Sequence, residues 1–397
     1  MKVVHLTNNL IPGGAGKAAN TISAALCAAG IESVMMRLPT DGTSARLINK
    51  IRAYADKLPL QIYRNRKRTA FSTLYAGYNW AKSDALKNAD IIHLHWINDG
   101  YLSFEGIEAI SRLKKKVVWT LHDSWPLTGG CNVTHGCNRW MTACGKCPQL
   151  GSSAELDVSR KIFTKKNNIY TSLNPTFVCA STWMYVRAQQ SPLLQNLKIK
   201  SIPYAINIET YKPHEKLEAR KRLGLPPDKK LILFGTVDIA DPNKGFRFFK
   251  AAVALLKNEI DFEVLVFGNK GKIEFDLGCP THFLGRIQDE NALAYAYSAA
   301  DVFVAPSVED NFPNTVLESL SCGSPVVTFN IGGMPDMITH GTNGFLAEPF
   351  KIESLTQGIL FILNGDANEL RKSARQKVQN DFTFEKVSKS YIDLYRE

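Results

Sequence analysis

The chain has 397 residues, which exceeds one ordinary domain and predicts two or three. An apolar content of 45% with 21% charged residues is typical of a soluble globular protein with ample core. No run of about 18 apolar residues is present, which excludes a membrane-spanning helix, and Met1-Lys2 leads into a strand pattern instead of a signal peptide. We therefore expect a cytosolic protein whose 8 cysteines are thiols or metal ligands.

The first predicted element is a buried strand, Val3 to Leu6, which is followed by a glycine loop and a small-residue helix, Ala18 to Ala29. The loop runs from Pro12 and contains Gly13 and Gly14. A strand, a glycine loop and a helix in this order can hold phosphate on backbone amides. A tight turn that only needs positive φ angles has the same sequence pattern, so both interpretations stay open.

A basic segment follows the second strand pattern, Glu32 to Leu38. Between Arg46 and Arg68 there are eight lysines and arginines against Asp56 alone, so this segment carries +7 of the formal net charge of +11. Apolar residues recur at helical spacing within it. One interpretation is an amphipathic helix with a solvated basic face, and the other is a docking patch for anionic lipid head groups.

Strand and helix patterns then alternate, which predicts a parallel doubly wound sheet. Three histidines lie near the predicted carboxyl ends of two strands, which are the ends at which ligands bind: His93, His95 and His122. A single histidine at such a place more often has a structural role, so the position alone does not decide its function.

A cysteine-rich insert interrupts this alternation after Asp123. Its four cysteines have the spacing C-x5-C-x6-C-x2-C, and the last pair has the spacing used in structural zinc sites: Cys131, Cys137, Cys144 and Cys147. Four cysteines in so short a loop can complete a tetrahedral site without other ligands. The alternatives are a loop of reduced thiols and a disulfide pair in a more oxidising compartment.

The chain then repeats the alternating pattern in a second half. A hinge is predicted from Asn207 to His214, followed by a strand from Leu231 to Gly235 and by Lys244 at a helix start, where an ammonium and the helix dipole can both act on phosphate. Arg286 follows the sequence Phe-Leu-Gly, and a final helix is predicted from Phe384 to Tyr395.

The most informative stretch runs from Ala300 to Glu348. A buried strand, Val302 to Ala305, opens into a polar loop, and Pro313 fits the first turn of the next helix. The first amides of that helix are expected to form an anion site and belong to Asn314, Thr315 and Val316.

Two carboxylates flank this helix start. Asp310 precedes the helix, and a charge that complements the helix dipole would explain it. Glu318 lies in the second turn, between two leucines, and is better explained as an acceptor of two neighbouring sugar hydroxyls.

These residues carry a resemblance to a known family. The order of Asp310, a helix start and Glu318, followed by CGSPVVTFNIGGMPDMITHGTNGFLAE, resembles the nucleotide-sugar site of retaining glycosyltransferases of family 4. The insert that begins at His122-Asp123 resembles the HD-x-W-P-x-T-G-x-C insert of a subgroup from bacterial exopolysaccharide, capsule and O-antigen biosynthesis. The resemblance implies the α/β fold called GT-B, with two Rossmann-like parallel-sheet domains facing across a cleft. The implied domains are residues 1–206, on which a helix at 384–397 packs back, and residues 207–383.

The resemblance also implies roles for individual residues. His122, Asp310 and Lys244 are the implied catalytic residues, and the implied donor-binding residues are Gly13, Gly14, Arg286, Asn314, Thr315, Val316 and Glu318. Two departures are visible: the arginine that the family has shortly after the first strand of the second half is absent, with Thr236 in that region, and Asp310 stands where the family usually has glutamate.

The implied reaction transfers a sugar from a nucleoside diphosphate donor to a glycan hydroxyl, with retention and without a catalytic cofactor. Zinc at the four cysteines would be structural. The basic segment, in a chain without a transmembrane pattern, predicts a lipid-linked glycan acceptor at an anionic membrane surface, with the protein cytoplasmic or peripheral at the inner membrane. Nucleic acid is not expected as a partner, because the segment has no recognisable nucleic-acid-binding motif. A nucleotide-sugar epimerase of the same fold and a non-catalytic nucleotide-binding scaffold are the alternative functions.

Overall fold

Two six-stranded parallel sheets organise the chain. The structure is a computed structural model, and it describes residues 1–8, 13–40, 42–67, 69–271 and 276–397. Two units contain these sheets: unit 1 comprises Met1–Pro203 with Val387–Glu397, and unit 2 comprises Tyr204–Lys386. Pro12 of the glycine loop and Arg68 of the basic segment lie outside the described residues.

The sheet of unit 1 has the strand order β2-β1-β3-β4-β5-β6. Its central strands are short apolar runs that are buried on both faces, as expected for a parallel sheet covered by helices. The strands are β1 (Lys2–Leu6), β2 (Glu32–Met36), β3 (Ile91–Leu94), β4 (Lys116–Leu121), β5 (Thr176–Cys179) and β6 (Ile199–Ser201).

The helices of unit 1 connect these strands. Several begin at a polar residue whose side chain accepts a hydrogen bond from a first-turn amide, such as Ser103 and Asp157. The helices are α1 (Gly14–Ala28), α2 (Thr43–Lys57), α3 (Asp84–Lys87), α4 (Phe104–Ser111), α5 (Val158–Leu173) and α6 (Thr182–Gln190).

The sheet of unit 2 has the strand order β12-β11-β10-β7-β8-β9. The strands are β7 (Lys230–Asp238), β8 (Phe262–Asn269), β9 (Thr281–Phe283), β10 (Val302–Ala305), β11 (Val326–Phe329) and β12 (Gly344–Ala347). The helices are α7 (Lys216–Leu223), α8 (Phe246–Leu256), α9 (Glu290–Ala299), α10 (Asn314–Ser321), α11 (Met334–Met337), α12 (Ile352–Asn364) and α13 (Ala367–Asp381).

The last helix, α14 (Phe384–Arg396), leaves unit 2 and packs on unit 1 from Val387 onward. Two of its tyrosines reach the sheet of unit 1: the hydroxyl of Tyr391 lies 3.0 Å from Thr120 Oγ1, and that of Tyr395 lies 2.7 Å from His93 Nδ1. The predicted α/β class with two doubly wound parallel sheets is confirmed. Among the helices of the described ranges, none combines the length and the apolar character that a bilayer crossing requires.

Candidate functional site

In the sheet of unit 2, the strand order reverses between β7 and β10. β7 leads to β8 on one side, whereas β10 pairs with β7 on the other side, where Val302 lies opposite Ile232. Ligands of open parallel sheets bind at the carboxyl ends of strands at such a point, because the two connections leave in opposite directions and open a crevice. The loops after β7 and β10 are therefore the first candidates for a ligand site.

These two loops are joined by an ion pair. Lys244 follows β7, Asp310 follows β10, and the distance from Lys244 Nζ to Asp310 Oδ2 is 2.7 Å. Burial disfavours the ammonium, but the Asp310 carboxylate outweighs this effect and raises the pKa of Lys244. The side chain is therefore charged at neutral pH and held at the strand ends, where a phosphate could exchange with the carboxylate.

Hydrogen bonds of the Asn243 side chain and a close backbone approach hold the loop of Asp310 against the loop of Lys244. The side-chain amide of Asn243 donates to the Glu309 carbonyl at 2.6 Å, and the Glu309 N–H donates back to Asn243 Oδ1 at 3.2 Å. Gly245 has a φ of 72°, and a Cβ there would lie 1.8 Å from the carbonyl oxygen of Pro306. Only glycine fits this position, because the conformation is left-handed and the two backbones touch.

Helix α10 begins beside this pair, but one residue later than the sequence predicted. Pro313 precedes the helix instead of lying in its first turn, and Asn314 is the first helical residue. The Val316 N–H donates to the Pro313 carbonyl at 3.1 Å. This bond engages the Val316 amide at the helix start, and the anion site predicted at the amides of Asn314, Thr315 and Val316 stays a prediction.

Glu318 is buried on α10, with 3% of the residue exposed. Its Oε2 accepts a hydrogen bond of 2.8 Å from the hydroxyl of Tyr297. Burial and the neighbouring Glu318 charge both raise the pKa of Tyr297 well above its usual range, so the phenol stays protonated and donates. The carboxylate is thus arranged to accept a hydroxyl, which is the chemistry predicted for it, although a tyrosine supplies that hydroxyl here.

Three further predicted donor-binding residues belong to other elements. Arg286 is exposed in the loop after β9, and β9 is separated from β7 by β8. Gly13 and Gly14 belong to unit 1 at the start of α1. The φ of Gly13 is −170°, which is extended backbone, so the positive-φ turn considered as an alternative does not occur there.

In unit 1, the predicted catalytic histidine is hydrogen-bonded to a histidine that follows the neighbouring strand, β3. His122 follows β4 and its Nε2 lies 3.0 Å from His95 Nδ1. Burial lowers the pKa of His122 to about 3, so the ring is neutral at physiological pH. Asp123 accepts hydrogen bonds from Trp96 Nε1 at 2.9 Å and from Asn132 Nδ2 at 2.7 Å, and thereby anchors the cysteine insert.

The sequence analysis missed a fourth histidine of this group. His5 lies in β1, opposite His93 of β3, and its Nδ1 is 2.9 Å from His95 Nε2. The sequence did place His5 in a predicted buried strand, as it placed His93 in another. The pairing of β1 with β3 was not visible from the spacing of the strands along the chain.

The four cysteines of the insert line one cavity. Burial raises the pKa values of Cys131 and Cys144 to about 12, and the Gly129 N–H donates to Cys144 Sγ at 3.2 Å. Among the described residues, one group of three potential ligands has all its ligand atoms within 4.8 Å of one another, namely His5, His93 and His95. The cysteines share a cavity but do not form such a group.

Residues 228–365 match the family Glycosyl transferases group 1. This segment extends from just before β7 to just after α12. It contains Lys244, Asp310, Glu318 and Arg286, so the candidate site of unit 2 lies within the part of the chain that resembles this family.

Two curated relatives extend the resemblance. The putative colanic acid biosynthesis glycosyl transferase WcaC of Escherichia coli strain K12 is 26% identical over 278 residues, which cover 65% of this chain and 62% of the relative. The N,N'-diacetylbacillosaminyl-diphospho-undecaprenol alpha-1,3-N-acetylgalactosaminyltransferase of Campylobacter jejuni is 25% identical over 237 residues, which cover 55% and 61%. Each match spans less than two thirds of the relative's own length.

A solved structure shows the shared fold. Alr3699/HepE of Anabaena, crystallised with UDP and glucose, aligns over 100% of both chains with a TM-score of 0.63 and 16% identity. The GT-B fold is therefore confirmed. The matching family and both relatives are named for glycosyl transfer.

Proposed function

We propose that this protein is a retaining glycosyltransferase that transfers a sugar from a nucleoside diphosphate donor to a hydroxyl of a glycan. The observation that carries this proposal is the Lys244–Asp310 pair, which lies where the strand order of unit 2 reverses, beside the start of α10. The structure of HepE with UDP and glucose supports a nucleotide-sugar donor of this class.

In the proposed reaction, the bond between the anomeric carbon and the diphosphate oxygen breaks while the acceptor oxygen forms its bond on the same face of the sugar. The acceptor proton passes to the departing phosphate oxygen. The Lys244 ammonium and the amides of Asn314 and Thr315 stabilise the negative charge that develops on the diphosphate. Glu318 accepts donor hydroxyls, as its bond to Tyr297 illustrates.

Asp310 and His122 receive roles on the sugar side. When the donor binds, the ion pair between Asp310 and Lys244 opens, so that Lys244 pairs with the phosphate and Asp310 contacts the transferred sugar. The side chain of Asp310 is one methylene shorter than that of the family's usual glutamate. His122 is neutral and keeps its predicted catalytic role as part of this proposal. Gly13, Gly14 and Arg286 keep their predicted contacts with the donor as part of this proposal.

The variant Lys244→Ala tests the role of the ammonium. We expect kcat/KM to fall by about 100-fold or more, because the variant loses the cation that opposes charge on the leaving diphosphate. Release of nucleoside diphosphate measures the reaction. Lys229→Ala is the matched control, since Lys229 also pairs with a carboxylate in unit 2 but at an exposed site. Wild-type turnover by Lys244→Ala would refute the assignment.

The two alternative functions give different results with the same protein. An epimerase would convert the donor sugar in the absence of any acceptor, which analysis of the recovered donor detects. A scaffold would leave the donor unchanged under all conditions. Acceptor-dependent release of the diphosphate excludes both.

We place the acceptor at an anionic membrane surface, as a lipid-linked glycan, with the protein peripheral at the cytoplasmic face. The Campylobacter jejuni relative is named for a diphospho-undecaprenol acceptor. Independent support comes from the orientation of α2, the helix of the basic segment.

Helix α2 packs against the rest of unit 1 through polar side chains. The Asn49 amide donates to the Pro39 carbonyl at 2.8 Å, and its Oδ1 accepts from the Tyr78 hydroxyl at 2.7 Å. Two turns later, the buried Asp56 carboxylate accepts the Tyr75 N–H at 3.0 Å. The helix is therefore fixed to the unit by polar contacts, and its apolar side faces away.

That side forms an exposed apolar stripe at helical spacing, which continues past the end of α2 and comprises Leu47, Ile51, Tyr54, Leu58 and Ile62. The exposed fractions reach 62% at Tyr54 and 76% at Ile62. Exposed basic residues accompany the stripe, namely Arg46, Lys50, Arg64 and Lys67. An apolar stripe with basic neighbours is the arrangement of helices that lie in a bilayer interface. Each basic residue near anionic lipid contributes about 1 kcal/mol.

The triple variant Ile51→Ser, Tyr54→Ser, Ile62→Ser tests this orientation. We expect wild-type protein to float with vesicles that contain anionic lipid at low salt and the variant to remain in the soluble fraction, because each serine removes about 1.5 kcal/mol or more of apolar burial. Leu217→Ser, which changes an exposed leucine of unit 2, serves as the control. Equal flotation with neutral and anionic lipid, or none for wild type, would leave a soluble acceptor as the better explanation.

We also propose that the four cysteines bind a structural zinc ion. The residue that favours this is Lys166, which is fully buried and whose Nζ donates to the Thr128 carbonyl at 2.8 Å. Burial lowers its pKa well below the usual range, whereas Cys144 and Cys131 act in the opposite direction. Four thiolates on zinc carry a net charge of −2, which would favour the protonated form of the buried Lys166 amine. Binding requires the sulphurs to draw together around the ion.

Metal analysis of protein purified without chelator tests the zinc proposal. We expect about one equivalent of zinc, and we expect removal of the metal to lower the unfolding temperature, because a structural site contributes to folding free energy. Cys27→Ser, outside the insert and exposed, is the control, and Cys147→Ser should lose the metal. Zinc-free protein with the stability of wild type would remove the proposal.

A further inference from the structure

A basal crevice lies at the amino ends of the strands of unit 2. Its open space is about 300 Å³, part of which is continuous with solvent, and its lining includes Lys216, Lys230, Asp301, Leu363, Leu370 and Arg371. Lys230 is the first residue of β7, and Asp301 directly precedes β10. The Lys244–Asp310 pair follows the same two strands, at their carboxyl ends. Because β7 and β10 are parallel, the crevice and the candidate donor site lie at opposite edges of the sheet.

The charges around this crevice are unbalanced. It is lined by three cationic residues, namely Lys216, Lys230 and Arg371. A fourth cation, the buried Arg220, pairs with Asp301 at 2.9 Å. Among the described residues that line the crevice, Asp301 is the only one with a carboxylate. Four positive charges therefore accompany one negative charge, which leaves a net charge of +3.

The carboxylate of Asp301 is already engaged on both oxygens. Its Oδ1 pairs with the ammonium of Lys216. Its Oδ2 accepts hydrogen bonds from Arg220 Nη2 at 2.9 Å and from the Leu231 N–H at 2.7 Å. This carboxylate therefore does not neutralise the other two cations as well.

The other two cations, Lys230 and Arg371, contact neutral acceptors. Lys230 Nζ donates to the Leu363 carbonyl at 3.1 Å. The Arg371 guanidinium donates to the carbonyls of Ala300 and Ser298 at 3.1 and 3.2 Å. These bonds position both side chains, but a carbonyl group does not cancel a full charge. An ammonium has three N–H groups and a guanidinium has five, so each side chain keeps donors for a further acceptor.

Burial makes the uncancelled charge unfavourable. It lowers the pKa of Lys216 and of Arg371, because the charged forms lose solvation there. Asp301 opposes this effect at Lys216, but repulsion from Arg220 and Arg371 adds to it. An anion between these cations would reduce the repulsion.

We propose that the basal crevice binds the phosphate group of a small soluble molecule through Lys216, Lys230 and Arg371. Lysine and arginine hold phosphate in proteins because their charge-assisted hydrogen bonds are strong. A phosphate monoester carries a charge of about −1.5 to −2 at pH 7, which would offset much of the net charge of the crevice. Since the crevice lies at the opposite edge of the sheet, this site is distinct from the donor site of the proposed function.

An anionic lipid head group presents the same chemistry, but the lining of the crevice favours the soluble source. The large apolar residues of the lining, Ile362, Leu363 and Leu370, are 3%, 5% and 6% exposed. The crevice therefore offers little apolar surface to an acyl chain.

Equilibrium dialysis of the full chain against inorganic phosphate tests this site. The measurement uses the Lys244→Ala chain, because the Lys244 ammonium also attracts phosphate, and it is made in chloride at constant ionic strength. We expect one phosphate per chain. Adding Lys230→Gln should lower the affinity about tenfold, because it removes a charge-assisted hydrogen bond. An unchanged affinity, or no phosphate bound by the Lys244→Ala chain, would overturn the proposal.

Two further variants separate a phosphate site from a general effect of charge or folding. Arg371→Gln should also weaken phosphate binding, and its unfolding temperature in chloride shows whether it is folded. Lys372→Gln is the matched control, since Lys372 is the next residue of α13 but is 65% exposed and pairs with Glu369 at 3.9 Å. We expect it to bind phosphate like the parent chain, and an equal loss in this control would contradict the proposal. Flotation with vesicles that contain phosphatidic acid tests the lipid source. A Lys230-dependent association with these vesicles, without binding of inorganic phosphate, would assign the crevice to a lipid head group instead.

Discussion

The reversal of strand order within each parallel sheet is the constraint on which the candidate sites depend. In unit 2, the connections after β7 and β10 leave in opposite directions, and the ion pair between Lys244 and Asp310 joins the two loops at that point. The ammonium stays charged because a carboxylate lies beside it, and the close approach at Gly245 keeps the two loops in register. In unit 1, the strand order reverses between β1 and β3, and the hydrogen-bonded residues His5, His95 and His122 lie in or after the strands there.

Much of the fold could be predicted from the sequence, because strands of a covered parallel sheet are continuous apolar runs. The strand from Val302 to Ala305 was predicted with its observed bounds. Helix α13 was not predicted, since its buried residues are few and form a narrow row among polar ones: Leu370, Ala374 and Val378. The signal that was available is Asp366, whose side chain accepts from the first-turn amides.

The sites were less accessible to sequence reasoning, because they depend on contacts between distant segments. Lys244 and Asp310 were each singled out, but their direct bond was not anticipated. The helical spacing of the basic segment was visible, whereas its orientation was not, because that orientation depends on the polar contacts of Asn49 and Asp56. The predicted start of α10 was one residue too early, since Pro313 precedes α10 instead of lying in its first turn.

The central claim is that unit 2 binds the diphosphate of a nucleotide through the charged group at its strand ends. Calorimetric titration of the full chain with UDP, GDP and ADP, and with the corresponding monophosphates, measures this most directly. The expected result is one site per chain for at least one diphosphate, with affinity at least about tenfold lower for its monophosphate, because the second phosphate carries the charge that Lys244 pairs with. Equal affinity for the two forms, or no binding of any of these nucleotides, would contradict the claim.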